Sequence, residues 1–135
     1  MLRKYDENDL MAKLFLLFNA LLHGVTGGYL LVNSGVEYQS DTYYAMSRFM
    51  SLDAWGFVFL GAAALFIAAA FHEGHFRLWL SVFAGTIGAA IFGLYAMAAA
   101  ELAVNFLVPA RYAITASFNA IIAVIGGHEL WKRRN

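Results

Sequence analysis

Cysteine is absent from all 135 residues, which excludes disulfides, thiolate zinc sites and thiol catalysis and leaves the redox compartment open. Proline occurs once, at Pro109. It lies at the mouth of an apolar stretch, where a first helical turn has no partner for the missing N–H, so it breaks nothing. Charge is scarce as well. Only 13% of residues are charged, nine basic against nine acidic for a formal net charge of zero, where a soluble domain carries about a quarter. With no basic face interleaved with aromatics, a nucleic acid has no electrostatic footprint to bind. There is no Gly-rich phosphate loop and no Gly-x-Ser-x-Gly turn, so enzymatic activity is not expected and no cofactor is implied.

What the chain has in excess is apolar length: 61% of residues are hydrophobic. Four blocks account for it, at about residues 14–32, 54–71, 78–100 and 107–130, each close to or above the roughly twenty residues that cross a 30 Å hydrocarbon core. Backbone groups in a bilayer must be satisfied internally, so each block is expected to be a helix. The expected fold is therefore all-α, an integral membrane four-helix bundle formed by one domain. The connections on either side of the third block are short, which makes blocks two and three one antiparallel hairpin and blocks three and four a second.

An even number of spans puts both termini on one side. That side carries Arg3, Lys4, Lys13, Arg77, Lys132, Arg133 and Arg134, whereas the other has only Arg48 and Arg111. By the positive-inside rule both termini are cytoplasmic. Trp55, Trp79 and Trp131 all fall at expected membrane–water interfaces, where an indole is favoured. A cleaved signal peptide is not expected, because Asp6, Glu7 and Asp9 accompany Arg3 and Lys4 and no small-x-small site follows the first block. Asp9 is placed to cap a helix starting near Leu10, and Ser51 to cap the second span.

Small residues recur at four-residue spacing. Ser81, Gly85, Ala89 and Gly93 form one stripe and Ala20, Gly24 and Gly28 another, and such stripes let helix backbones approach closely in lipid. Polar residues inside the membrane are costly and so are candidates for function. Asn19, His23 and Thr26 stand on neighbouring turns of the first span, and Arg111, Thr115 and Asn119 on those of the fourth. Counting from the span edges puts His23 and Asn119 near mid-membrane, where they are expected to hydrogen-bond between helices one and four or to line a proton-sensitive path.

Outside the spans, the 33–52 connection holds Tyr38, Tyr43, Tyr44 and Arg48 as contact candidates. Ser40 or Asp41 is placed to cap a short interfacial helix with its aromatics toward lipid. Glu101 and Arg111 flank the last connection and are expected to pair weakly. His72, Glu73, His75, His128 and Glu129 gather near the inner surface, but their spacing does not match a metalloprotease helix and no metal site is expected.

The layout, together with Ser-Leu-Asp-Ala-Trp-Gly at 51–56 and Gly-Gly-His-Glu-Leu-Trp-Lys-Arg-Arg at 126–134, resembles small four-span membrane proteins encoded by bacteriophages of Gram-positive bacteria. The resemblance covers the whole chain loosely, implies a phage origin and transfers no functional residue. Two functions fit. The first is a holin-like or channel-like homo-oligomer in the host cytoplasmic membrane. The second is an interaction protein, with a host or phage protein as partner, acting in superinfection exclusion or in passage of a phage genome into the cell. A transporter would need two copies to enclose a site.

Overall fold

In the computed structural model residues 7–33, 35, 40–101 and 105–134 are described, and all their regular structure is helical. The elements are α1 (Glu7–Val32), α2 (Asp41–Ser47), α3 (Leu52–Phe71), α4 (Gly74–Glu101) and α5 (Leu107–Lys132). Four of them, α1, α3, α4 and α5, are long and apolar enough to cross a membrane. Three of them, α1, α3 and α4, start earlier than their apolar blocks. α1 begins at Glu7, so Asp9 lies within its first turn rather than capping it. The Asp9 carboxylate instead accepts from Lys13 at 2.7 Å, one turn on, and from Arg77 of α4, partners stronger than a free backbone N–H. Ser51 does cap α3, its hydroxyl accepting from the Ala54 N–H at 3.3 Å. Gly74 takes a φ of +69°, a left-handed conformation that lets α4 start with only His72 and Glu73 between it and the end of α3.

The long helices pack in a row: α1 on α3, α3 on α4 and α4 on α5, with α1 and α5 hardly touching. Glycines decide where backbones meet. A methyl group at Gly27 would lie 2.8 Å from the Gly56 carbonyl oxygen, and one at Gly85 would lie 2.6 Å from the Asn119 carbonyl oxygen. Without a hydrophobic force between helices in lipid, such close dispersion contact is what holds them. Among the buried positions of α4, Ser81, Gly85, Gly88, Phe92 and Tyr95 follow one another along one face, and their spacing alternates four and three. A strict step of four advances about 40° beyond a full turn at 3.6 residues per turn. The expected stripe therefore leaves the interface: Ala89 is half-buried, and a methyl group at Gly93 would meet nothing within 4 Å. In α1 the same drift leaves Gly28 open while Gly27 packs, and Gly24 sits at a looser 3.9 Å from Ala63.

α2 corrects the expectation for the long connection. It docks on α4 and, more lightly, on α3. The Tyr43 ring turns inward, 6.0 Å from the Tyr29 ring and 6.3 Å from that of Tyr95. Burial raises the Tyr43 phenol above its ordinary range, so it stays protonated, with the Tyr95 hydroxyl opposing the shift. Ser40 stands at the N-cap position without a side-chain cap bond. Tyr44 and Phe49 are exposed, and Tyr38 lies outside the described residues. Trp55 is buried rather than at a lipid interface, because its indole N–H donates to the Met46 carbonyl at 3.1 Å and ties α2 to α3. Trp55→Phe removes that donor while keeping most of the ring. It is expected to cost about 1 kcal/mol, and proteolysis in detergent micelles should then cut within α2 sooner than in the parent chain.

Ion pairs mark the two ends. Arg48 reaches Glu101 at 3.4 Å, because the docking of α2 on α4 carries it there. Arg111 lies inside α5 and lines a cleft with Phe15, Phe18 and Asn19 of α1, and the expected Glu101–Arg111 pair does not form among the described residues. Both partners of the Arg48–Glu101 pair are largely exposed, which limits its contribution to about 0–1 kcal/mol.

Candidate functional site

The intramembrane polar residues divide into those that satisfy themselves and those that do not. Thr26 donates from Oγ1 to the Leu22 carbonyl at 2.8 Å and Thr115 to that of Arg111 at 2.9 Å. Asn19 donates from Nδ2 to the Phe15 carbonyl at 2.9 Å. Each bond returns to the residue four positions earlier on the same helix, the usual way a short polar side chain is accommodated there.

His23 and Asn119 begin in the same manner. The His23 Nδ1–H donates to the Asn19 carbonyl at 2.7 Å, and Asn119 Nδ2 donates to the Thr115 carbonyl at 2.8 Å. Both side chains are fully buried, at 0% exposure. Their remaining atoms, His23 Nε2 and Asn119 Oδ1, are the two buried side-chain polar atoms without a hydrogen-bond partner among the described residues. Leaving such a group unsatisfied costs about 1–3 kcal/mol. The direct bond expected between helices one and four is therefore not made.

The two orphan atoms nevertheless converge. A methyl group built on Gly88 of α4 would overlap Asn119 Oδ1 and meet His23 Nε2 at 2.8 Å. Gly88 of α4 is thus where α1 and α5 present polar groups to one another, although those two helices scarcely pack directly. The other walls are aromatic. The His23 ring centroid lies 4.8 Å from that of Phe92, 5.1 Å from Phe66 and 6.0 Å from Phe59. Phe59 and Phe92 belong to a core cluster with Trp55 and Tyr95, and Phe66 to a second with Leu16 and Ala20, so His23 bridges the two.

Beside this centre the unpacked side between α1 and α5 forms two clefts. One of about 360 Å³ is lined by Phe15, Phe18, Asn19, Leu22, Arg111, Ile114, Thr115 and Phe118. The other, about 630 Å³, reaches the end of the molecule where Asp9, Arg77, Glu129 and Arg133 gather, and Phe15 lines both. Phe15 and Phe118 bring their rings within 6.0 Å across the gap. Asn19 and Thr115 thus border the open side, one turn from His23 and Asn119 in sequence.

Among the described residues no three of His, Asp or Glu come together as a metal site. His72, His75 and His128 are exposed, with His72 Nδ1–H donating to the Ala68 carbonyl at 2.7 Å. Sequence reasoning missed Gly88 and the three phenylalanines. The signal for Gly88 was the alternating four-and-three spacing from Ser81 to Tyr95, which a fixed step of four passes over. Comparison with protein-family models, curated proteins and solved structures finds no match for this chain, so the site is read from its own geometry.

Proposed function

We propose that this chain is a phage-type multi-pass protein of a bacterial cytoplasmic membrane, and that it self-associates to open a channel-like path. In this reading the helices form a bundle of antiparallel hairpins with both termini in the cytoplasm, as the seven-to-two distribution of basic residues favours. One observation carries the functional part. α1 and α5 hold most of the intramembrane polar side chains, including Asn19, His23, Thr115 and Asn119, and they flank the unpacked side of the molecule. α5 is also the least buried of the four long helices, so a second copy has surface to cover. The interior is filled by Phe59, Phe66 and Phe92, which favours a narrow path along the α1–α5 side over a holin-sized lesion.

A second reading is favoured by the exposed side chains of Tyr44, Arg48 and Phe49 at the α2 end, which offer a contact surface for a protein partner. Inducible expression in a bacterium separates the readings, with a potential-sensitive dye and release of a cytoplasmic enzyme followed together. Dye response without enzyme release is expected. If membrane-located protein changes neither signal, the channel reading fails and the Tyr44–Phe49 surface becomes the object of study.

A further inference from the structure

We propose that His23 and Asn119 form a proton-binding site, in which an imidazolium is held between the Asn19 carbonyl and the Asn119 carboxamide. The inference does not rest on the channel reading, because the proton is detected on the histidine nitrogens whether or not the assembly conducts.

The argument follows from donors and acceptors alone. With the proton on Nδ1, the neutral ring donates to the Asn19 carbonyl at 2.7 Å and leaves the Nε2 lone pair sharing the space above Gly88 with a second acceptor, Asn119 Oδ1. With the proton moved to Nε2, the ring turns a donor toward that acceptor, but the Nδ1 lone pair then faces the Asn19 oxygen. Either neutral tautomer leaves one acceptor against another. Only the doubly protonated ring donates on both sides.

Turning the Asn119 amide does not remove the conflict. It would direct Nδ2 at His23 but set Oδ1 against the Thr115 carbonyl, which Nδ2 now meets at 2.8 Å. The walls are apolar, with the ring centroids of Phe59, Phe66 and Phe92 within 6.0 Å of the imidazole, so the two acceptors are what holds the proton against the cost of burying a charge. Phe59 and Phe66 come from α3, Gly88 and Phe92 from α4, Asn119 from α5 and Asn19 from α1 itself. None of these side chains is charged or titratable, so the proton taken up has no competitor among them.

The test uses the full chain in phospholipid nanodiscs, labelled with ¹⁵N-histidine. His72→Gln, His75→Gln and His128→Gln leave His23 as the sole histidine. The nitrogen signals are followed from about pH 8 to about pH 4, which brackets the ordinary histidine range. Nδ1 is expected to carry a hydrogen at both extremes, and Nε2 to gain one on acidification. Asn119→Leu removes the second acceptor and should weaken proton affinity about tenfold, moving the Nε2 transition down by about one pH unit. The proposal is overturned if Nε2 stays bare at the acid end, accepting from a turned amide or a buried water. It is also overturned if the neutral ring carries its hydrogen on Nε2, or if Asn119→Leu leaves the transition where it was. The titration of the chain with Asn119 intact decides the first two points, so the proposal stays testable even if the leucine variant does not fold.

Discussion

Gly85→Ala is expected to destabilise the molecule by about 1–3 kcal/mol, the usual cost of forcing a methyl group into a filled interface, whereas Gly93→Ala is expected to be neutral or slightly stabilising. The two residues lie two turns apart on α4 and look equivalent in sequence. At Gly85 the added carbon would sit 2.6 Å from the Asn119 carbonyl oxygen and 2.7 Å from the Ala123 backbone nitrogen. Backbone atoms of a regular helix cannot swing aside as a side chain can, so α4 and α5 must separate along their whole contact. At Gly93 the same carbon meets nothing within 4 Å, and alanine gains up to about 1 kcal/mol in helix propensity over glycine. Thermal or SDS-induced unfolding of the purified variants in one detergent gives the comparison. Equal losses at both positions would mean that α4 meets its neighbours on a face other than the one described.

That pair of glycines also shows how far the chain could be read before its structure. Long uncharged runs leave the backbone no alternative to helix in a bilayer, so the all-helical fold and its four long apolar helices were legible from composition and length. The common level of two polar residues was legible too, because counting residues from the span edges put His23 and Asn119 at one height, and both meet at Gly88. Rotation was not. A stripe counted in fours accumulates about 120° of error over three steps at 3.6 residues per turn, enough to carry Ala89 and Gly93 off the packed face and to hide Gly88. The tertiary partners of side chains outside the spans were equally out of reach. Trp55 and Tyr43 have the composition of interfacial anchors, and only the docking of α2 turns them inward. Glu101 was matched to Arg111 by proximity in sequence, yet its partner is Arg48, brought across by that same docking.

If the chain opens the path proposed for it, His23→Ala and Asn119→Leu are expected to act alike on conduction, and in any case differently on stability. Removing the imidazole empties a space walled by Phe59, Phe66 and Phe92 and between two core clusters, so a loss of about 2–5 kcal/mol is expected, in the range of other large-to-small core substitutions. Asn119→Leu keeps comparable bulk and removes an acceptor that has no partner. The amide donor lost with it served a carbonyl within its own helix. A buried unsatisfied acceptor is itself destabilising by about 1–3 kcal/mol, so the apolar replacement should leave stability unchanged or raise it. Conduction should fall in both variants if the polar pair takes part in the path. A leucine variant that conducts normally and is more stable would leave the orphan pair without a part in conduction. One that loses more than about 1 kcal/mol would show that Asn119 holds the helices together. Stability gained and conduction lost in the same variant is the outcome expected of a site that retains an unsatisfied polar group for its activity.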